Sequence, residues 1–192
     1  KEHIEVWRHT DAREATGQSA ILLYPNGERT VLSHRGAAND IPLAEVPFKK
    51  IRAKWVYIAP SHIDAGVMEK IINHCYAQGI LVAFNPSAAY CADGGKLLKP
   101  LVSKIKVLIT NREEAGIITG IARAKEKEMF AHLDELMDGI CVMTDGPRGA
   151  WVSDGKRLYT AGIFADKKLV SRTGAGDAFG SGFVAGMIQK ED

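Results

Sequence analysis

Residues 171–180 read SRTGAGDAFG, and the fold has to be built around this run. The preceding residues, 167–170, mix apolar and charged side chains and are predicted to end a strand. Residues 178–188 are predicted to form a helix. Glycines at a strand-to-helix junction leave backbone N–H groups uncovered at the positive end of a helix dipole, where an anion binds favourably. The run therefore predicts a strand, an anion-binding turn and a helix in succession.

Asp177 stands inside this predicted anion site, where its negative charge would oppose a bound anion. The conflict disappears if the carboxylate accepts a proton from a hydroxyl group while the neighbouring amides hold the phosphoryl group that this hydroxyl attacks. The alternative is a glycine-rich turn in which the aspartate caps the helix. The combination favours the catalytic interpretation.

Outward from this run, short apolar segments alternate with longer segments of helical periodicity. The predicted strands are 54–59, 80–84, 106–110 and 140–144, and the predicted helices are 63–78, 111–119 and 125–137. Residues 150–153 and 157–160 are predicted to pair as a hairpin about Asp154-Gly155. This pattern predicts an α/β fold with a doubly wound, mostly parallel sheet and helices on both faces.

A second hairpin is predicted near the start of the chain, where residues 19–24 and 29–33 flank an Asn-Gly turn within residues 25–28. Because it alternates in character and precedes the α/β run, we expect it to project from the sheet as part of a lid. The chain is accordingly divided into a β-rich lid segment with its return to the core, residues 1–40, and an α/β core, residues 41–192.

The composition of the chain argues against some classes of function. The 192 residues are 46% hydrophobic and 25% charged, which is typical of a globular domain. A net charge of +2 without a basic block gives no support for nucleic-acid binding, and the apolar runs are too short to span a bilayer. The three cysteines share no ligand spacing and fit buried thiols in a reducing cytoplasm, which is the expected location.

Polar or glycine-containing segments follow several predicted strands, at the edge where α/β sheets bind ligands. They are residues 85–87, 111–114, 144–149 and 174–177. Each signal is weak alone: Asn85 serves equally well as a helix cap, and Asn111 with Glu114 fits a capping box. Their shared position predicts one site, in which Asn85 is a candidate nucleotide-binding residue.

These segments give the chain a specific resemblance. It resembles the ribokinase family of sugar and nucleoside kinases, also called the PfkB family, in matches that run in family order over nearly all 192 residues. The matched segments are Gly174-Ala175-Gly176-Asp177 with Ala178-Phe179, Asn111-x-x-Glu114, Thr144-x-Gly146-x-x-Gly149, and Gly36-Ala37-Ala38-Asn39 after the first hairpin. The resemblance implies a ribokinase-like fold.

The resemblance also implies catalytic roles. Asp177 is expected to be the general base for the acceptor hydroxyl, and the N–H groups of Gly174, Ala175 and Gly176 are expected to hold the transferring phosphoryl group. The glycines that follow, Gly180, Gly182 and Gly186, lie inside the predicted helix, where each costs about 1 kcal/mol relative to alanine. They predict that this helix packs closely on its neighbours.

ATP and Mg²⁺ are the cofactors that the resemblance implies. The expected nucleotide-contacting residues are Thr144, Gly146 and Gly149, and the expected metal residues are Asn111 and Glu114, which would hold Mg²⁺ through its waters. In the family an Asp often stands where this chain has Ser171, in a region linked to a monovalent-cation site. Activation by K⁺ therefore stays open.

The implied activity is transfer of the γ-phosphoryl group of ATP to a hydroxyl of a small carbohydrate. A nucleoside kinase is the alternative within that class, and a non-catalytic nucleotide- or sugar-binding relative is the alternative outside it. The family's lid closes over the sugar and often forms a dimer contact, so a homodimer through the lid is a further expectation. Family members are longer than this chain, which is expected to be a fragment with an open Asp177 turn.

Overall fold

The computed structural model describes residues 4–8, 10–11, 13–24, 29–39, 41–60, 63–122, 125–164 and 173–190. The strands are β1 Thr16–Leu23, β2 Arg29–Gly36, β3 Trp55–Ile58, β4 Leu81–Phe84, β5 Val107–Asn111, β6 Ile140–Thr144, β7 Ala150–Ser153 and β8 Leu158–Ala161. The α-helices are α1 Ala65–Ala77, α2 Ala88–Gly95, α3 Arg112–Thr119, α4 Glu126–Leu136 and α5 Ala175–Lys190. The predicted strand at 167–170, the turn at 25–28 and Ser171 lie outside the described residues.

Six strands form the central sheet in the order β3-β4-β5-β6-β7-β8. The first four run parallel, and β6, β7 and β8 pair antiparallel. The sheet is mixed because β7 and β8 form the predicted hairpin, whereas each earlier strand returns through helical segments. The predicted ribokinase-like α/β fold, with a mostly parallel sheet, is confirmed.

Alternate residues of the central strands face opposite sides of the sheet. One side packs against α1–α4 through residues that include Phe84, Leu108 and Met143. On the other side, Ala83, Val107, Ile109 and Val142 pack against Val184 and its neighbours on α5. Burial on both faces explains why these strands are continuous apolar runs in the sequence. The carboxyl ends of β3–β6 therefore meet at one edge, between the helix layers.

Local side-chain bonds determine where helices begin. The Asp64 carboxylate accepts hydrogen bonds from the N–H groups of Gly66 and Val67, at 2.9 and 3.1 Å, so α1 begins at Ala65 rather than at residue 63. Helix α2 was not predicted. It is short, and residues Ala92 to Gly94 have non-helical backbone angles, so its sequence lacks a helical period.

The glycines of α5 only partly follow the expectation of close packing. A Cβ atom added at Gly180 would lie 2.5 Å from the Tyr57 hydroxyl oxygen, so this glycine is required by its neighbour. At Gly182 and Gly186 an added Cβ would meet nothing within 4 Å among the described residues. Close packing is thus seen at Gly180, whereas Gly182 and Gly186 have no close neighbour at their Cβ positions among the described residues.

The predicted first hairpin is confirmed as a separate two-stranded antiparallel sheet, β1–β2, with Ile21 paired to Val31. Nearly all of its residues are exposed on both faces, including the apolar Leu22, Leu23 and Leu32. An isolated two-stranded sheet of this kind is marginally stable by itself. Its role as a lid stays a prediction.

The three cysteines, Cys75, Cys91 and Cys141, are buried and free. Burial raises the pKa of the Cys91 and Cys141 thiols to about 12. They are therefore protonated at neutral pH and poor nucleophiles or ligands. Within the described part of the chain, no helix combines the length and the apolar character that crossing a bilayer requires.

Candidate functional site

The N-terminus of α5 carries the glycine turn that the sequence singled out. Gly174 has a φ of 76°, in the left-handed region, and its carbonyl oxygen accepts the first helical hydrogen bond from the Ala178 N–H at 2.9 Å. The N–H groups of Ala175, Gly176 and Asp177 precede this bond and have no partner within the helix. An added Cβ at Gly174 or Gly176 would meet nothing within 4 Å in the described structure. The turn thus presents uncovered donors to solvent.

Asp177 is exposed and is the third residue of α5. Because Gly174 occupies the capping position, the alternative in which Asp177 is only the helix cap does not fit this geometry. A carboxylate in the first turn also interacts favourably with the helix dipole. An accessible carboxylate next to uncovered N–H groups can accept a proton while those groups bind an anion.

Three of the predicted site residues lie at the ends of adjacent parallel strands. Asn111 and Thr144 are register partners at the ends of β5 and β6. The Thr144 hydroxyl donates to the Thr110 carbonyl at 3.4 Å. Asn85 follows β4, and its side-chain amide donates to the Ile109 carbonyl at 2.7 Å. That bond extends the β4–β5 contact beyond its backbone pairing, so Asn85 has a structural role whether or not it also contacts a nucleotide.

Asn111 and Glu114 form the capping box that their spacing predicted as an alternative. The Glu114 N–H donates to Asn111 Oδ1 and the Asn111 N–H donates to Glu114 Oε2, both at 2.8 Å. Burial raises the pKa of Glu114, and the hydrogen bond from the Asn111 backbone opposes that rise. Glu114 therefore stabilises the start of α3, and one carboxylate oxygen is already used in doing so.

The turn after β6 contains two glycines, and a different physical reason explains why each position is glycine. It is closed by the Asp145 N–H, which donates to the Gly149 carbonyl at 2.8 Å. A Cβ at Gly149, where φ is 87°, would overlap the Ala161 carbonyl oxygen of β8. At Gly146, where φ is 54°, an added Cβ would meet nothing within 4 Å in the described structure. Gly149 is thus required for packing against β8, whereas Gly146 leaves its backbone accessible.

An ion-pair network, which the sequence analysis missed, connects these two motifs. Arg112 on α3 pairs with Asp145 in the turn after β6 and with Glu126 on α4, the latter at 2.7 Å. The side chains of Arg112 and Asp145 are each only 6% exposed. Arg148 donates two bonds to the same Asp145 carboxylate, at 2.6 and 2.8 Å. Arg148 first and Arg112 second hold the pKa of Asp145 below its usual range.

The signal for this network was present in the sequence. Arg112 occupies an unspecified position of Asn111-x-x-Glu114, and Asp145 occupies an unspecified position of Thr144-x-Gly146. Both motifs end neighbouring strands, so opposite charges at these positions were able to meet.

The two motifs share one cavity of about 350 Å³. Its lining residues are Asn111, Arg112, Glu113, Thr144, Asp145, Gly146, Pro147 and Arg148. Predicted site residues that do not line it include Asn85, Glu114, Gly149 and Asp177. The Asp177 turn lies instead near β3, since Gly180 on α5 contacts Tyr57. With strands about 4.8 Å apart, β3 and β6 are separated by about 14 Å along the edge. The cavity thus lies at the β5–β6 part of this edge, and the Asp177 turn lies toward β3.

Among the described residues, no group of three or more His, Cys, Asp or Glu side chains could enclose a metal ion. Asn111 and Glu114 supply only one carboxylate between them. Such a donor set is compatible with Mg²⁺, which keeps several waters and is commonly held by one or two carboxylates with substrate phosphates.

The chain is similar to several known kinases. A cytidine kinase from Thermococcus kodakarensis is 31% identical over 170 residues, which are 86% of this chain and 59% of that protein. The structure of adenosine kinase from Schistosoma mansoni in complex with 2-fluoroadenosine matches with a TM-score of 0.78 and 23% identity, over 94% of this chain and 58% of that one. The ribokinase of Arabidopsis thaliana complexed with ribose and ATP matches with a TM-score of 0.73 and 19% identity, over 92% and 58%.

These comparisons agree on the fold and on the extent of the match. The chain spans a little under three fifths of each of these three proteins. The profile of pfkB family carbohydrate kinases matches residues 1–192. The chain therefore belongs to the pfkB family of carbohydrate kinases.

Proposed function

We propose that the protein containing this chain is an ATP-dependent kinase that transfers the γ-phosphoryl group of ATP to a hydroxyl of a small carbohydrate. The observation that carries the proposal is the exposed Asp177 carboxylate in the first turn of α5, beside the uncovered N–H groups of Ala175 and Gly176. A base and an anion site on one turn are what phosphoryl transfer to an alcohol needs.

In this proposal Asp177 accepts the proton of the acceptor hydroxyl as its oxygen attacks phosphorus. The N–H groups of Gly174, Ala175 and Gly176 bind the transferring phosphoryl oxygens, and the dipole of α5 adds to their effect. Phosphoryl transfer depends mainly on positioning and charge stabilisation, so a rigid turn on a packed helix is well suited to it.

The nucleotide is placed in the cavity between the two strand-end motifs. Thr144 and Gly146 contact its phosphates, because their backbone and hydroxyl groups are accessible at the end of β6. Gly149 keeps the shape of the turn, and Asn85 fixes the adjacent strand end. The edge between β6 and β3 then leads from the nucleotide to Asp177.

Mg²⁺ fits the remaining groups. Glu114, with Asn111, would hold the ion through water, and the bound ion would supply neutralisation of phosphate charge. The raised pKa of Glu114 and its engagement in the capping box make it a weak direct ligand, which agrees with a water-mediated role.

A nucleoside is the second candidate acceptor. The similar cytidine kinase favours it, being 31% identical to this chain, and its named substrate also offers sugar hydroxyls.

Residues 1–40 are assigned in this proposal to a lid segment, and residues 41–192 to the kinase core. The exposed apolar side chains of β1–β2 suit closure over the acceptor or pairing with a second lid in a homodimer. The buried free thiols suit the cytoplasm.

The experiment is an acceptor panel with ATP and Mg²⁺, measured as ADP formation by the protein that carries this chain. Free sugars, sugar phosphates and nucleosides form the three arms, and ATP alone is the control. Activity dependent on one sugar arm supports the proposal, whereas activity with nucleosides only selects the second candidate. ATP binding without turnover on any arm would contradict a catalytic role.

A further inference from the structure

The hydroxyl group of Tyr57 is buried, and no described residue hydrogen-bonds to it. Tyr57 lies on β3, and its side chain packs against the same buried cluster as Phe179 and Phe183, on the face of the sheet that α5 covers. Buried hydroxyl groups almost always have a partner, so an unpartnered one needs an explanation. Packing alone would be served equally well by phenylalanine, which carries no polar atom.

Gly180 brings this hydroxyl against α5. A Cβ atom at Gly180 would lie 2.5 Å from the Tyr57 oxygen and 3.0 Å from the ring carbon that bears it. Because Cα–Cβ bonds in a helix tilt toward its N-terminus, the hydroxyl occupies space on the Asp177 side of Gly180. Residues three apart lie on the same helix face. Asp177 is therefore the next side chain along that face, toward the glycine turn.

The two groups are chemically matched. Burial raises the pKa of Tyr57, and the negative charge of Asp177 raises it further. The phenol is thus protonated at neutral pH and offers a donor. Asp177 is exposed, so its carboxylate can turn toward that donor without disturbing the core. Bonds from a hydroxyl to a carboxylate are short and strong.

We infer that Tyr57 is a positioning residue for Asp177: its hydroxyl donates a hydrogen bond to the carboxylate and fixes the oxygen that faces the acceptor. The inference rests on the proposed function, in which Asp177 is the general base. Tyr57 acts through Asp177 and contacts neither substrate. Since a small misplacement of a reacting group costs a large factor in rate, holding one carboxylate oxygen in place is worthwhile.

The first test requires no kinase activity. Phenolate absorbance is titrated with pH in the wild-type protein and in Tyr57→Phe, and the difference between the two curves reports the Tyr57 hydroxyl. The same difference is then measured between Asp177→Asn and the variant that carries both substitutions. We expect Tyr57 to titrate at a lower pH when the carboxylate is replaced by an amide, because the nearby negative charge is gone. Coinciding titrations would show that the groups do not interact and would overturn the inference.

The second test is a kinetic double-mutant cycle in the protein that carries this chain. Tyr57→Phe is expected to lower kcat about tenfold and to leave the KM for ATP unchanged, because one hydrogen bond to a charged group is lost. In the Asp177→Asn background the same substitution should change kcat less than about twofold, since the residue it acts through is gone. Equal losses in both backgrounds would overturn the inference.

Tyr159→Phe is the matched control. It removes a tyrosine–carboxylate contact of 3.2 Å, to Asp154 on the β7–β8 hairpin, and should leave kcat unchanged. A wild-type protein without kinase activity would refute the proposed function, while the titration would still decide whether Tyr57 and Asp177 interact.

Discussion

Replacing Asp145 with alanine is expected to destabilise the fold strongly, because its carboxylate is the partner of a buried arginine. The substitution removes one carboxylate from the Arg112 guanidinium, which is 6% exposed, and leaves its ion pair with Glu126 in place. Removing one partner of a buried ion pair costs about 3–5 kcal/mol. Because Glu126 still compensates part of the charge, we expect the lower limit, about 3 kcal/mol. For a chain of this length that loss lowers Tm by about 6–12 °C.

The assay is urea unfolding followed by tryptophan fluorescence, with Arg148→Ala as the matched control. Arg148 contacts the same carboxylate, but its side chain is 70% exposed, and its removal leaves the buried Asp145 carboxylate still paired with Arg112. We expect a clearly smaller change for the control than for Asp145→Ala. Equal effects of the two substitutions, or no effect of either, would refute the argument from burial.

The same pair makes stability depend on pH with a defined sign. The guanidinium groups hold the pKa of Asp145 below its usual range, so its contribution is present above the unfolded pKa, about 3.9. It is lost as the pH falls through the lower, folded value. The free energy of unfolding should therefore fall more steeply in acid for the wild type than for Asp145→Ala. Parallel profiles would contradict this account.

Two further substitution pairs separate roles that share a motif. Glu114→Gln keeps an acceptor for the Asn111 N–H, so it should leave Tm nearly unchanged while raising the Mg²⁺ concentration needed for half-maximal rate. Glu114→Ala should raise that concentration and also lower Tm, because the capping box is lost. An unaltered MgCl₂ titration in both variants would show that Glu114 does not hold the metal. Gly149→Ala should cost at least about 2 kcal/mol of unfolding free energy, because of its positive φ and the Ala161 carbonyl, and Gly146→Ala about 1 kcal/mol. Equal losses would contradict the packing role of Gly149.

Much of the fold was predictable because it rests on local patterns. The strand predicted at 140–144 is β6, Ile140–Thr144, since an uninterrupted apolar run is what burial on both faces requires. The start of α3 was predictable because a capping box involves residues only three apart. Helix α2 was missed because its interrupted backbone has no period to detect.

The candidate site was predictable in position but not in its internal contacts. Three of the four segments, residues 85–87, 111–114 and 144–149, follow β4, β5 and β6 at one edge as expected, whereas the fourth, residues 174–177, begins α5 outside the cavity. The Arg112–Asp145 pair was missed because it depends on which residues of neighbouring strands are in register, and register is a tertiary property. The contact between Tyr57 and Gly180 was missed for the same reason, as it joins residues far apart in the chain.

The substitution Asp177→Asn shows whether Asp177 is the base of a phosphoryl-transfer reaction. Asp138→Asn is the matched control, an exposed carboxylate that precedes β6 and so lies at the opposite edge of the sheet. The measurement is kcat with the best acceptor of the panel, together with ATP affinity by calorimetry. We expect kcat to fall by a factor of about 10²–10⁴ for Asp177→Asn, ATP affinity to stay within a few-fold of the wild type, and the control to show no change. An Asp177→Asn protein that keeps more than about half of the wild-type kcat would contradict this role of Asp177.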